Sequence, residues 1–269
     1  MPLRLAASVL LAFLTLADLA QAEPCPGNPD ALGTARILKL DPLEHRQLGL
    51  FDHGEALALD DHEVVLTFDD GPIPPYTSKV LDALAAECVK ANFFVVGQMA
   101  RAHPALLKRE FAEGHTIGTH TQHHPHMNRL NDTEAGKDIS DGIASVNAVL
   151  GGPHAAPFFR FPYLEESRGK EGIALWLGLS VWSTDFHASD WTRITPQQVA
   201  ALAMERLEHR GKGILMLHDI HERTAQALPL LFASLKKNGY HIVQVVPKDA
   251  EQKEAAVRPA EESGEASGE

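Results

Sequence analysis

The stretch Val64-Val65-Leu66-Thr67-Phe68-Asp69-Asp70-Gly71-Pro72 joins a short apolar run to two adjacent carboxylates and a turn. The run Val64–Phe68 has the length and the β-branched content of a buried strand, and Gly71-Pro72 favours a sharp turn after it. Where a strand gives way to a loop, both Asp side chains can face one cavity. Two carboxylates there are costly unless a cation lies beside them. The stretch predicts a cation site or, as the simpler alternative, a solvated Asp-Asp-Gly turn.

Downstream of this stretch, apolar strands alternate with amphipathic helices. Strands are predicted at 64–68, 92–96, 116–118, 158–161, 180–183, 213–217 and 240–246. Helices are predicted at 77–89, 104–112, 133–150, 168–177, 196–209 and 224–237, with Thr133 and Thr195 as N-caps. Such alternation indicates parallel strands joined by helical crossovers, in a barrel or an open doubly wound sheet. We predict an α/β fold, a distorted (β/α) barrel, either closed or incomplete, with about seven parallel strands.

Polar residues follow the ends of several predicted strands, and this placement favours the barrel. In parallel α/β folds the carboxyl ends of the strands share one face, where sites form. The residues concerned are Asp69, Asp70, His120, Arg160, Asp185, His218 and Asp219. We therefore expect one site at one rim.

The first 22 residues have the pattern of a secretory signal peptide. A positive charge at Arg4 precedes the apolar run 5–17, and Ala20-Gln21-Ala22 is a small-x-small cleavage pattern. The alternative is an ordinary buried N-terminal helix. The run is too short for a membrane span, and no apolar run leads into Cys25 as a lipid anchor requires. We expect a secreted or periplasmic protein without a stable membrane anchor.

The remaining chain divides into an N-terminal extension at 23–61, a main domain at 62–247 and an acidic tail at 248–269. The extension gives weak signals, apart from a short accessory strand at Ile37–Leu40. The tail is acidic, rich in Ala, Ser and Gly and without apolar periodicity, so we expect it to be disordered. The net charge of −12 argues against nucleic acid and anionic membrane surfaces as partners.

Cys25 and Cys88 are the two cysteines of the chain. An oxidising compartment permits a disulfide between them, which would fix the N-terminus of the mature protein. A free buried thiol at Cys88 is the alternative.

The segment 115–126, His115-Thr116-Ile117-Gly118-Thr119-His120-Thr121-Gln122-His123-His124-Pro125-His126, is rich in histidine. His120 and His124 are four residues apart, so their imidazoles can share one metal if the segment makes a helical turn. His123 and His126 are also available, and solvated loop histidines are the plain alternative. One carboxylate with two histidines leaves open positions on a divalent metal, as catalysis requires.

Five short motifs occur in order between residues 62 and 246: Thr67–Pro72, His120–His124, Arg160–Tyr163, Asp190-Trp191 and Leu215–Asp219. In these motifs the chain resembles polysaccharide deacetylases with the NodB homology domain, carbohydrate esterase family 4. Because all five motifs occur in the family's order, the resemblance is specific, whereas any one motif alone would be weak evidence for the family. It implies a metal-dependent deacetylase.

The resemblance also implies roles for individual residues. The metal ligands would be Asp70, His120 and His124. Asp69 would be the catalytic base, paired with Arg160, which keeps it ionised and oriented. His218 would be the general acid, with Asp190 raising its pKa. The substrate would be held by the Tyr163 backbone N–H at the oxyanion and by Trp191 and Leu215 around the acetyl group.

The fourth motif departs from the family pattern. An Asp usually lies three residues before the Asp of Asp-Trp, and this chain has His187 there. Asp185, two residues earlier, could replace it through a shifted loop. His187 is expected to be a surface-loop residue, with substrate contact as the alternative.

The function predicted is hydrolysis of N-acetyl groups on an N-acetylglucosamine-containing glycan of the chitooligosaccharide or peptidoglycan type. Zinc is the expected metal, with cobalt or nickel as alternatives. An O-acetyl polysaccharide esterase is the nearest alternative, and a catalytically silent glycan-binding protein is a second. A metal-storage protein would explain the histidines but not Arg160, Asp190 or His218.

Overall fold

The structure is a computed structural model that describes residues 25–165 and 168–248. The predicted signal peptide at 1–22 lies outside the described residues, as does the predicted tail from 249 onward. No helix in the described ranges is long and apolar enough to cross a membrane.

Strand segments in the described residues number ten. They are β1 (Arg36–Leu40), β2 (Gln47–Leu48), β3 (Glu63–Asp69), β4 (Asn92–Val95), β5 (Thr116–Thr119), β6 (Phe158–Phe159), β7 (Ser180–Trp182), β8 (Phe186–His187), β9 (Gly213–His218) and β10 (His241–Pro247). The predicted strands all occur, and so does the accessory strand β1. The sequence analysis missed β2 and β8, because two-residue strands have no readable periodicity.

The helices of the described chain lie between these strands. They are α1 (Tyr76–Ala86), α2 (Gly97–Ala102), α3 (Pro104–Ala112), α4 (Asp132–Leu150), α5 (Arg168–Trp176), α6 (Pro196–Arg210) and α7 (Glu222–Lys237). Thr195 caps α6 in a capping box with Gln198. The predicted cap of α4 at Thr133 is wrong, because Asn131, two residues earlier, forms the capping box with Glu134.

The sheet is parallel throughout and does not close. Its main row runs β2-β7-β6-β5-β4-β3-β9-β8, while β10 pairs with the first residues of β3 and carries β1 on its other side. The end strands β2 and β8 are not paired with each other within the described ranges. This arrangement confirms the predicted α/β fold with an incomplete barrel, with ten strands in place of about seven.

Alternation along β3 separates two apolar layers. Val64, Leu66 and Phe68 pack against residues of α1, α6 and α7. Val65 points the other way, into an inner cluster that includes Phe94, Trp182, Ile214 and Val243. Because Asp69 is four residues beyond Val65, strand alternation places it on the inner side, above this cluster.

The N-terminal extension contributes to the same sheet through β1 and β2. Cys25 and Cys88 are bonded, with an S–S distance of 2.06 Å. Near this bridge, the Gly33 N–H donates to the Glu87 carbonyl at 2.8 Å. The start of the described chain is therefore attached to the end of α1.

Glu110 of α3 is fully buried, and neither of its carboxyl oxygens has a hydrogen-bond partner in the described chain. Burial raises the pKa of Glu110 well above 4.5, and the nearby charges of Asp219 and Glu113 raise it further. The folded state therefore keeps this proton at pH values where the unfolded state loses it. Stability contributed by this group falls as pH rises above 4.5.

We expect Glu110→Gln to remove this pH dependence. At about pH 5 the melting temperature of the variant should be close to that of the wild type. At about pH 8 it should be a few degrees above that of the wild type. Thermal unfolding at both pH values measures the effect. Glu205→Gln, at an exposed position of α6, is the control. If the difference in melting temperature between variant and wild type were the same at both pH values, the carboxyl group of Glu110 would not be the source of the pH dependence.

Candidate active site

Asp69 and Asp70 lie at the carboxyl end of β3, and both line one cavity of about 420 Å³. Asp69 is the last residue of the strand and is in register with His218 of β9. Asp70 has a φ of 80°, which interrupts the strand and lets its side chain face the cavity too. The next residue must be glycine, because a Cβ at Gly71 would lie 2.0 Å from Asp219 Oδ2.

Asp70, His120 and His124 form a cluster with the composition of a metal site. One ligand atom from each lies within 4.8 Å of the others. His124 Nε2 is 3.1 Å from Asp70 Oδ1, and His120 Nε2 is 3.4 Å from the same oxygen. The spacing of four between the histidines is bridged by a loop rather than by a helical turn, with φ of 67° at Thr121 and 55° at His124.

This cluster fits a divalent cation. Asp70 Oδ1 is buried and makes no hydrogen bond in the described chain. His120 donates its Nδ1–H to the Arg160 carbonyl at 2.7 Å, so Nε2, which faces Asp70, is the ring nitrogen left to bind a metal. Burial raises the pKa of Asp70, but the two histidines outweigh it and hold that pKa far below its ordinary value. The carboxylate therefore stays ionised, as a metal ligand must.

The other two histidines of the segment have partners of their own. His123 Nδ1 is 2.6 Å from Asp138 Oδ2, and His126 Nδ1 is 2.9 Å from Glu165 Oε1. Neither belongs to the cluster. Of the four histidines, only His120 and His124 lie close to Asp70 in the described chain.

Arg160 holds Asp69 from within the barrel. The guanidinium is fully buried, and its Nη1 donates to Asp69 Oδ1 at 2.7 Å and to Thr67 Oγ1 at 2.8 Å. Its Nη2 donates to the Ser183 carbonyl at 2.7 Å, and its centre lies 4.2 Å from the Phe94 ring centroid. A buried carboxylate with such a partner is fixed in orientation.

His218 faces the cavity from β9, with Asp190 behind it. His218 Nδ1 is 2.9 Å from Asp190 Oδ1, while Asp190 Oδ2 accepts from the His218 backbone N–H and from Thr224 Oγ1, each at 2.7 Å. Burial lowers the pKa of His218, but the charge and hydrogen bond of Asp190 outweigh it and raise the pKa to about 9. A protonated imidazole therefore stands opposite Asp69.

Aromatic side chains form the mouth of the cavity. Tyr163 is 55% exposed, has a φ of 59°, and stacks on His126 with centroids 4.2 Å apart. Trp191 is 44% exposed, and its ring contacts His218 edge-on at 5.3 Å. Phe51 and Leu164 also line the cavity. The sequence analysis missed both, because no motif marks them.

The predicted role of Leu215 in the pocket wall is wrong. Leu215 is fully buried and packs in the helix-facing core. Side chains alternate along β9, so Met216 lines the cavity, together with His218 two residues later. Period-two alternation, applied backward from His218, would have identified Met216.

The structure shows what Asp185 contacts in the segment where the fourth motif departs from the family pattern. Its carboxylate is buried and accepts from the Leu50 N–H and the Ile214 N–H, each at 2.7 Å. It thus joins the end of β2 to the start of β9 across the gap in the sheet. The expected surface position of His187 is wrong, because this residue lines the cavity.

The family model for polysaccharide deacetylase matches residues 57–182. The peptidoglycan-N-acetylmuramic acid deacetylase PdaA of Bacillus subtilis is 34% identical over 242 residues, which cover 85% of this chain and 89% of that protein. The chain belongs to the polysaccharide deacetylase family.

Other polysaccharide deacetylases agree with this assignment. The peptidoglycan-N-acetylglucosamine deacetylase PgdA of Listeria monocytogenes is 33% identical over 194 residues, or 70% of this chain. The chain spans only 39% of the length of that relative. A peptidoglycan deacetylase structure from Bdellovibrio bacteriovorus aligns with a TM-score of 0.71 and 32% identity, covering 80% of this chain and 59% of that one.

Proposed function

We propose that this polysaccharide deacetylase is a metal-dependent hydrolase that removes N-acetyl groups from an N-acetylglucosamine-containing glycan of the peptidoglycan or chitooligosaccharide type. One observation carries the proposal. Asp69, buried and bonded to Arg160, and His218, bonded to Asp190, lie on paired positions of β3 and β9 and share one cavity with the Asp70–His120–His124 cluster. A base and an acid in one cavity with a candidate metal centre suit hydrolysis of an amide, which needs both.

The names of relatives support the substrate class. Two of them, from Listeria monocytogenes and Bacillus subtilis, are peptidoglycan deacetylases, for the glucosamine and muramic acid residues respectively. A Bradyrhizobium relative, 30% identical and covered over 87% of its length, is a chitooligosaccharide deacetylase. All three named activities remove an N-acetyl group from a glycan, which is why we prefer an amide to an ester as the substrate.

Asp70, His120 and His124 would hold the metal. Zinc is the proposed ion, since two imidazoles and one carboxylate form a familiar ligand set for it, with cobalt and nickel as alternatives. When bound, such an ion lowers the pKa of a water molecule and polarises a carbonyl oxygen.

Asp69 would act as the general base. Its carboxylate accepts one proton from the water that attacks the acetamide carbon, and a C–O bond forms. Arg160 keeps the carboxylate ionised and fixes its orientation through the Nη1 contact at 2.7 Å. The Tyr163 backbone N–H is proposed to stabilise the oxyanion of the tetrahedral intermediate.

His218 would act as the general acid. As the C–N bond breaks, its Nε2–H donates a proton to the departing sugar nitrogen, because Nδ1 is committed to Asp190. The products are acetate and a free amine. Trp191 and Met216 would enclose the acetyl methyl group, since both line the cavity near His218.

Export to the periplasm or the exterior is part of the proposal. The N-terminal sequence pattern and the Cys25–Cys88 bond both suit an oxidising compartment. Peptidoglycan, the substrate in the names of the relatives, is extracytoplasmic.

Mass spectrometry of products tests the proposal. The metal-loaded protein is incubated with chitooligosaccharides, with peptidoglycan fragments and with O-acetylated xylan. We expect loss of acetyl groups from the first two, with a free amine at each site. Loss of acetyl groups from xylan alone would show that the protein is an O-acetyl esterase and not an amidase. Binding of glycans without loss of acetyl groups would support the silent glycan-binding alternative.

The Asp190–His218 pair predicts a pH effect. Asp190→Asn removes the charge that raises the pKa of His218 to about 9, so this pKa should fall toward 6.5. The general acid then loses its proton at lower pH, and the basic limb of the kcat/KM profile should move to lower pH. Thr224→Val removes a hydrogen bond to Asp190 but keeps the charge, so it should leave the limb nearly in place. Equal shifts in both variants would contradict the assignment.

A further inference from the structure

The cavity wall includes a residue that precedes the part of the chain matched by the family model, 57–182. Phe51 lines the cavity and is 55% exposed. A large aromatic ring that is half open to solvent at a cavity mouth contributes little to the core, but it offers an apolar face to a ligand.

Phe51 is held in place by the chain that connects β7 to β8. Its N–H donates to the Thr184 carbonyl at 2.9 Å, and the preceding Leu50 N–H donates to the buried Asp185 at 2.7 Å. Gly49 has a φ of 105°, and a Cβ there would lie 2.7 Å from the Ser183 carbonyl carbon. The close approach of the two backbones therefore requires glycine and fixes where Phe51 stands.

His187 lies next to Phe51 in the same wall. Its ring centroid is 6.2 Å from that of Phe51 and 4.7 Å from that of Trp191. Arg206 Nη1 donates to His187 Nδ1 at 2.7 Å. Burial and the charge of Arg206 lower the pKa of His187 to about 4, so the ring is neutral. With Nδ1 accepting, the proton is on Nε2, which is therefore a hydrogen-bond donor.

We propose that Phe51 and His187 form a sugar subsite for the residue adjacent to the one that is deacetylated. The Phe51 ring packs against the C–H face of that pyranose, and His187 Nε2–H donates to one of its oxygens. A ligand with an apolar face edged by oxygen acceptors matches an aromatic ring beside a fixed N–H donor, and a sugar ring has both.

The position argues for the adjacent sugar rather than for the acetamide itself. The acetamide must reach Asp69, which is 2% exposed, whereas Phe51 is at the exposed rim. When the acetylated sugar is inside the cavity, the next sugar of the glycan therefore lies at the rim, against Phe51 and His187. This inference rests on the proposed function, which supplies both the glycan ligand and the place of deacetylation at Asp69.

Binding and kinetics as a function of glycan length test the subsite. Dissociation constants are measured for N-acetylglucosamine and for its di- to pentasaccharides, using metal-loaded protein in an Asp69→Asn background to prevent turnover. Phe51→Ala should weaken binding of the oligosaccharides by about tenfold and leave the monosaccharide unchanged. In the active enzyme it should raise KM for the oligosaccharides with kcat nearly constant.

Three further variants keep the test specific. Phe51→Trp keeps an aromatic face and should retain binding, and His187→Phe keeps a ring but loses the donor and should weaken oligosaccharide binding. Phe111→Ala, which removes a partly exposed ring of α3 outside the cavity, should change nothing. Unchanged oligosaccharide binding in Phe51→Ala, or equal loss for every length, would overturn the subsite.

The outcomes separate the subsite from the proposed function. Acetate release by the wild type, together with unchanged oligosaccharide binding in Phe51→Ala, refutes the subsite and leaves the function standing. Oligosaccharide binding that depends on Phe51, without acetate release by the wild type, supports the subsite and refutes the deacetylase.

Discussion

Asp69→Asn should reduce deacetylation by ~10²–10⁴-fold or more while the protein keeps its metal. The amide has the same shape as the carboxylate and can still accept the Arg160 Nη1 hydrogen bond through its oxygen. It cannot take a proton from water, so the step assigned to Asp69 is lost. Asp69 is not in the Asp70–His120–His124 cluster, so that site remains intact.

Metal content and turnover, measured on one preparation, test this expectation. Elemental analysis after dialysis gives the metal, and acetate release gives the rate. Asp141→Asn, at a carboxylate on α4 that bonds Lys137, is the matched control and should behave like the wild type. If Asp69→Asn lost its metal, Asp69 would be a ligand, and if it remained fully active, the base would be another group.

Asp70→Ala should lose the metal and, with it, the activity. Only His120 and His124 would remain as protein ligands, and two imidazoles hold a divalent ion poorly. We expect an affinity loss larger than the ~10–100-fold typical of changes outside the ligand shell. Isothermal titration of the metal-free protein with zinc measures it directly.

His123→Ala is the matched control for this loss. His123 comes from the same histidine-rich segment but bonds Asp138, so its removal should leave metal affinity nearly unchanged. Equal affinity losses in Asp70→Ala and His123→Ala would contradict the cluster. Retention of metal by Asp70→Ala, with loss in Asp69→Asn, would reverse the two aspartates.

Much of the fold was predictable because its signals are local. Alternating apolar strands and capped helices require only short windows, and Thr195-Pro196 marked the start of α6 correctly. The place of β10 was not predictable. It pairs with both β1 and β3, and no short window encodes which strands meet. β2 was not predictable either, because a strand of two residues is too short to show a hydrophobic period.

The site residues that lie in local motifs were predictable, and those placed by tertiary contacts were not. Asp69, Asp70, His120, His124 and His218 lie in motifs at strand ends, and the structure brings them into one cavity. Phe51 was missed because its place in the cavity wall depends on two hydrogen bonds that span 133 and 135 residues of the chain, from the Phe51 N–H to the Thr184 carbonyl and from the Leu50 N–H to the Asp185 carboxylate. Those partners form a tertiary contact, which no motif around Phe51 records.

Two errors have different physical origins. Leu215 was placed in the pocket by motif resemblance, where strand alternation puts Met216. His187 was assigned to the surface because it replaces an expected Asp. Its position follows from β8, a two-residue strand that pairs with β9 and so carries it to the rim.

The most direct test of the account is the mass of a peptidoglycan fragment after incubation with the metal-loaded protein. Three samples are compared: the wild type, the wild type after chelation, and Asp69→Asn with its metal bound. We expect acetyl groups to be lost, and free amines to appear, in the first sample alone, with activity restored when metal is returned to the second. Equal loss of acetyl groups in all three samples would contradict the roles of the metal cluster and of Asp69 together.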